Sequence, residues 1–152
     1  MGDYPRSCDD VKRDLNDRHK SFSDTILKPI GQDAVLHRLV ISNDIDPQTQ
    51  KPSKSAFSNH GLSVYIQSEN YPLNIAELAE LIEESDKFIG SVKLNPEELQ
   101  DMGFEIFPDP YPDPSGNKQH PNHAQVVCKK TPGKTKIIRD NCQWSVIPKE
   151  FI

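Results

Sequence analysis

The alternation of apolar and polar positions predicts an order of helices and strands along most of the chain. Val11, Leu15, Phe22 and Ile26 recur at helical spacing in a charged segment, which predicts an amphipathic helix over about residues 8–26. Nine later segments follow in the order strand, strand, helix, strand, helix, strand, strand, helix, strand. They are 34–41, 61–68, a helix capped by Asn74, 88–94, a helix from Pro96 to Gly103, 104–107, 123–129, 134–142 and 144–147.

The first two predicted strands differ in their patterning. Residues 34–41 form a nearly continuous apolar run, which is typical of a strand covered on both faces. Residues 61–68 instead place Leu, Val and Ile on one face and Ser63, Tyr65 and Gln67 on the other. This period of two predicts a half-buried strand whose polar face is open to water.

Length and composition predict a small, loop-rich fold. The chain has 152 residues, a length typical of one domain, with 13 prolines and a mean hydropathy of −0.69. Two long segments, 42–59 and 108–122, lack any period and are rich in proline. We therefore expect a single α+β domain over residues 1–152, with the helix at 8–26 peripheral. It would hold a mixed β-sheet of five to six strands, three to four helices and two long Pro-rich loops.

Charge and cysteine content narrow the function classes. A net charge of −5 argues against a general nucleic-acid binder or a protein of anionic membranes. No run of 18 apolar residues and no signal-peptide core occur, so we expect a cytoplasmic protein. Cys8, Cys128 and Cys142 show no C-x-x-C spacing, and we expect all three to be structural thiols.

The pair His120 and His123 at the end of the second loop is the first candidate for chemistry. Three interpretations are open: His123 begins a strand with one ring nitrogen bonded to the backbone, it acts as a general base, or both histidines bind a metal with Asp109 or Asp113. Because His-x-x-His outside a helix has no fixed ligand geometry, we expect no metal site and no cofactor.

Arg38 is the second candidate, because a guanidinium inside an apolar strand needs a partner. An ion pair with Glu69 or Asp86 would satisfy it. Alternatively, Arg38 would bind an anion or a nucleotide phosphate together with the loop that follows its strand. The loop residues with suitable side chains are Lys51, Ser53, Ser55 and Ser58.

Several motifs between residues 34 and 148 resemble a family of small uncharacterised bacterial proteins. They are Lys51-Pro52-Ser53, Ser55-Ala56-Phe57, Leu62-Ser63-Val64-Tyr65, Asp109-Pro110-Tyr111-Pro112, Pro121-Asn122-His123-Ala124-Gln125-Val126, Trp144 and Pro148. The resemblance implies a bacterial origin but no activity. It marks the polar positions Ser53, Ser55, Ser63 and His123 for testing.

A second resemblance is to ADP-ribosyltransferase-like domains. These carry an aromatic residue or histidine followed by arginine on one strand, and a serine on the next. His37-Arg38 and Ser63 would take those places, whereas the catalytic glutamate of such enzymes has no clear counterpart.

Two functions are consistent with these features. The first is a small cytoplasmic accessory protein that binds a protein partner, in a bacterial defence or toxin-control system. The second is an enzyme acting on a nucleotide or nucleic-acid substrate. In that enzyme His123, Arg38 and Ser63 would be the catalytic residues, and Lys51, Ser53, Ser55 and Asp109 would bind the ligand.

Overall fold

Side-chain caps precede three of the four α-helices that the structure describes. The computed structural model describes residues 7–21, 29–31, 33–58, 61–112, 119–127 and 132–151. Within these residues the α-helices are α1 (Cys8–Ser21), α2 (Ile75–Glu83), α3 (Pro96–Asp101) and α4 (Pro132–Asn141). The Ser7 hydroxyl accepts from the Asp10 amide, and the side-chain oxygens of Asn74 and Asn95 cap α2 and α3 in the same way. These bonds satisfy amides that have no partner inside a helix.

Six strands form the main sheet. They are β1 (Val35–Ile41), β4 (Gly61–Gln67), β5 (Phe88–Leu94), β6 (Glu105–Pro108), β7 (His123–Val127) and β8 (Gln143–Val146), in the spatial order β6-β7-β4-β1-β5-β8. A small hairpin of β2 (Ile45–Asp46) and β3 (Lys51–Pro52) lies in the first long loop. The α+β class is confirmed, and all neighbouring strands are antiparallel rather than mixed in direction.

Several predicted segments extend beyond the described residues. The N-terminal helix is described to Ser21, so its predicted continuation over 22–26 lies outside the described residues. The same holds for positions 128 and 129 of the predicted strand at 123–129. In the second long loop, residues 113–118, with Asp113, also lie outside.

The two faces of the main sheet are both covered. One face is here called the α4 face. There the apolar side chains of β4 pack in the main hydrophobic core with Ile138 of α4 and with Ala56 and Phe57 of the first long loop. On the other, here called the α1 face, Val11 and Leu15 of α1 form a separate apolar cluster with Val127.

Helix α2 packs on another part of the α1 face. Leu78 packs there with Leu39 and Leu73, and Tyr65 joins this cluster. The predicted half-buried strand is confirmed, since the apolar side chains of β4 are buried, but Ser63, Tyr65 and Gln67 are only partly open to water. Two of these polar side chains bond to histidines of the neighbouring strands, Gln67 to His37 and Ser63 to His123.

The cysteines do not behave alike. Cys142 is a free, buried thiol, as predicted, and burial raises its pKa to about 11. Cys8 is disulfide-bonded, so the prediction of a thiol is wrong there, and Cys128 lies outside the described residues. Among the described residues, no helix is long and apolar enough to cross a membrane.

Candidate functional site

Asp109, directly after β6, is the centre of a buried polar cluster on the α1 face. Its side chain is 0% exposed. The carboxylate accepts two hydrogen bonds from Arg18 of α1, at 2.9 and 3.0 Å, and one from the Gln125 amide of β7 at 3.0 Å. His19 Nε2 donates to the same carboxylate at 3.3 Å. Four donors thus compensate the cost of burying this charge.

His123 lies next to Asp109 in one defined tautomer. Its Nδ1 is 2.7 Å from the Asp109 carbonyl oxygen, which can only accept, so Nδ1 carries the proton. The neutral ring therefore has an unprotonated Nε2. That atom is 3.1 Å from the Ser63 hydroxyl, which donates to it.

Backbone bonds fix the position of this histidine. The Asp109 amide donates to the His123 carbonyl at 2.7 Å. The two residues are thus joined by two hydrogen bonds, this one and the bond from His123 Nδ1 to the Asp109 carbonyl. Asn122, the preceding residue, donates from its side chain to the carbonyl oxygens of Ile66 and Pro72. Ser63 lies on β4 opposite Gln125, two register positions from the Tyr65–His123 pair and on the same face of the sheet.

The surroundings of His123 favour its neutral form. Burial is the main cause that lowers its pKa below the ordinary histidine value, with smaller contributions from the charges of Arg18 and His120. The hydrogen bond and charge of Asp109 act in the opposite direction without reversing the shift. The unprotonated Nε2 of this neutral imidazole faces a hydroxyl group, which is the protonation state that a general base requires.

His120 is adjacent to this pair but has its own partners. Its Nδ1 accepts from the Asn122 amide at 3.0 Å, and its ring makes an edge contact with Tyr65. Among the described residues no group of three metal-ligating side chains exists. The alternative ligand Asp113 lies outside the described residues.

Arg38 does not converge with Ser63 and His123. Its Nε donates to the Ala56 carbonyl at 3.2 Å, and its Nη1 donates to the Ser63 carbonyl at 3.1 Å. By strand alternation its side chain lies on the α4 face, opposite the Ser63 hydroxyl. Backbone carbonyls thus take the place of the ion pair predicted with Glu69 or Asp86.

The predicted phosphate-binding loop forms a network of its own. The hydroxyls of Ser53 and Ser55 are 2.7 Å apart, and Ser55 donates to the carboxylate of Asp44 at 2.7 Å. Lys51 is exposed on β3. Because the Ser55 hydroxyl donates to a carboxylate and the Ser53 hydroxyl bonds to Ser55, the described geometry gives no support to an anion site here. This loop packs on the α4 face, whereas Asp109 lies on the α1 face, so the described parts of the two long loops do not share one site.

Sequence reasoning found Ser63, His123 and Asp109 but missed Arg18, His19 and Gln125. Arg18 and His19 belong to a helix with a strongly charged polar face, where nothing distinguishes a buried arginine from exposed ones. One signal was available: Gln125 lies two residues after His123, and alternation places both on the same face.

A separate cavity lies on the other side of the sheet, between β1, β5, α3 and α4. Its volume is about 250 Å³, and its lining includes Leu94, Leu99, Met102, Ile138 and the Cys142 thiol. None of the residues that line it belongs to the sequence-predicted site.

Folding stability is expected to fall as the pH drops below about 6.5. Burial lowers the pKa values of His37, His120 and His123, so each stabilises the fold when neutral. The protonated form of His37 is the least well accommodated, since Nε2 donates to Gln67 and Nδ1 has no partner among the described residues. The contribution is complete above the unfolded-state pKa and is lost as pH falls through the lower folded-state values.

Urea unfolding at pH values from 7.5 to 5 measures this effect, since most carboxylates stay ionised over that range. The loss should be smaller in a His37→Gln variant. Stability that rises on acidification in this range would contradict the assignment of neutral buried histidines.

Comparison with protein-family models, with curated proteins and with solved structures found no match to this chain. The interpretation of the site therefore depends on its own geometry.

Proposed function

We propose that this protein is an enzyme that transfers an acyl or phosphoryl group to water through Ser63, with His123 as the general base. One observation carries the proposal. The Ser63 hydroxyl is 3.1 Å from the unprotonated Nε2 of His123, while Nδ1 donates to the backbone carbonyl of Asp109. A nucleophile, a base and a group that orients the base thus follow one another within hydrogen-bond distance.

The chemical step follows from these positions. The Ser63 oxygen bonds to the electrophilic carbon or phosphorus of the substrate as its proton passes to His123 Nε2. The leaving group takes that proton as its bond to the substrate breaks. Water then attacks the enzyme ester, gives a proton to Nε2, and Ser63 recovers its hydrogen when the product leaves.

Burial supports the same division of roles. His123 is 2% exposed, which protects the base from solvent, whereas Ser63 is only partly buried and can meet a substrate. The buried Asp109 carboxylate lies 3.5 Å from His123 Nδ1 and favours the imidazolium that forms during proton transfer.

A fluorophosphonate probe tests the proposal without knowledge of the natural substrate. Attack by Ser63 forms an oxygen–phosphorus bond and breaks the phosphorus–fluorine bond, and the protein gains the mass of the phosphonyl group. Intact mass spectrometry followed by peptide mapping is expected to show one label, on Ser63. The Ser63→Ala variant should gain none.

Ser145→Ala is the matched control. This serine is also a half-buried strand residue, but its hydroxyl bonds to Ser91 at 2.6 Å rather than to a histidine. The control should label like the wild type. No label on the wild type, or equal labelling of Ser63→Ala, would overturn the proposal.

ADP-ribosyl transfer is a second candidate, favoured by one contact. The strands that carry His37-Arg38 and Ser63 are neighbours, and Arg38 donates to the Ser63 carbonyl. The catalytic glutamate of such enzymes has no clear counterpart, however, and the residue opposite Ser63 is Gln125. Release of nicotinamide from NAD that is lost in Ser63→Ala would select this candidate over hydrolysis.

The other sequence-based functions stay predictions. An accessory protein with a protein partner in a bacterial defence or toxin-control system is one of them, and a nucleotide or nucleic-acid substrate is another. A cytoplasmic location also stays a prediction. The disulfide at Cys8 favours an oxidising compartment instead.

A further inference from the structure

The guanidinium of Arg18 in α1 pairs with acceptors on three residues. The side chain is 11% exposed and pairs with both oxygens of Asp109 in a two-pronged arrangement. Two further acceptors, the Asp14 carboxylate at 3.1 Å and the Pro112 carbonyl at 3.2 Å, hold the guanidinium. This geometry fixes the orientation of the Asp109 carboxylate relative to the sheet.

The same carboxylate lies beside the proposed base. Asp109 Oδ2 is 3.5 Å from His123 Nδ1 and 3.0 Å from Arg18 Nη2. His123 therefore meets a negative charge that a buried positive charge partly neutralises. How strongly His123 holds a proton depends on the balance between these two charges.

We infer that Arg18 is a positioning residue, which holds the Asp109 carboxylate and sets how much of its charge reaches His123. The inference rests on the proposed function for its catalytic meaning. It makes α1 a part of the site, although no atom of α1 takes part in the bond between Ser63 and His123.

Titratable and charged groups approach His123 from each element packed around it. They are Arg18 and His19 from α1, Asp109 from the segment after β6, His120 from the turn before β7, Tyr65 from β4, and Glu77 of α2 at 4.0 Å from His120. Burial and the charges of Arg18 and His120 lower the pKa of His123, and Asp109 opposes them. Changing Arg18 and Asp109 separately should therefore shift this pKa in opposite directions.

Two single variants test the inference by NMR titration of the His123 ring. Arg18→Gln removes the positive charge and leaves Asp109 uncompensated, so the pKa of His123 should rise by about one unit. Asp109→Asn leaves Arg18 uncompensated and should lower this pKa by a similar amount. The acid limb of the probe-labelling rate against pH should move with it, to higher pH in the first variant and to lower pH in the second.

Two further variants separate this role from simple structural support. Arg13→Gln alters an exposed arginine of the same helix and should leave the titration of His123 unchanged. The double variant Arg18→Gln with Asp109→Asn buries no net charge, so it carries the test if the single variants fail to fold. Its His123 pKa should stay close to the wild-type value.

Shifts of the same sign in both single variants, or an unchanged pKa in Arg18→Gln, would overturn the inference, as would a shift of more than about one unit in the double variant. The NMR titration needs no reaction at Ser63. A failure of probe labelling would therefore refute the proposed function while the titration still decides the role of Arg18.

Discussion

Replacing Asp109 by alanine is expected to lower the free energy of unfolding by about 3–5 kcal/mol. The side chain is fully buried, and its removal leaves the Arg18 guanidinium in a low-dielectric site without its main partner. Gln125 and His19 also lose an acceptor. Breaking one half of a buried pair costs more than the pair itself contributes, because the remaining charge is uncompensated.

Urea denaturation followed by circular dichroism measures this loss. Asp140→Ala is the matched control, since Asp140 also pairs with an arginine, Arg139 at 3.2 Å, but is 52% exposed. Its replacement should change stability by about 0–1 kcal/mol. A loss at Asp109 no larger than that at Asp140 would show that the buried cluster does not hold α1 against the sheet.

Replacing His123 by alanine is expected to reduce the rate of fluorophosphonate labelling by about 10²–10⁴-fold. Ser63 keeps its hydroxyl in this variant but loses the acceptor of its proton, 3.1 Å away. The rate of labelling, followed by mass spectrometry over time, separates this effect from a change in the amount of labelled protein.

Two comparisons make the His123 result specific. His120→Ala removes a neighbouring imidazole whose described hydrogen bond is to the Asn122 amide, and it should label close to the wild-type rate. Added imidazole should restore part of the rate in His123→Ala by occupying the vacated space. Unchanged labelling in His123→Ala would mean that Ser63 reacts without this base.

The order of elements was predictable because it depends on local signals. Asn74 caps its helix as expected, the helix predicted from Pro96 begins at that residue, and the apolar run at 34–41 is one of the two central strands of the sheet. The strand order was not predictable, since pairing joins segments far apart in the chain. The partial burial of the polar face of β4 was not predictable for the same reason, because it depends on where α1 and α2 pack.

The candidate site was predicted in part. The sequence predicts a role for His123 at the start of a strand after a long loop, and the alternation of β4 places Ser63 on a polar face. Their contact follows from the pairing of β4 with β7, which no single-sequence pattern specifies. Arg38 is a charge in an apolar strand, yet its hydrogen bonds to backbone carbonyls satisfy it locally.

The tautomer of His123 tests the central claim most directly. Long-range ¹H–¹⁵N correlation spectra of the wild-type protein at pH 7 report which ring nitrogen carries the proton. The structure predicts a neutral His123 ring protonated at Nδ1, with Nε2 free to accept from Ser63. A ring protonated at Nε2, or an imidazolium at this pH, would contradict the assignment of His123 as the base.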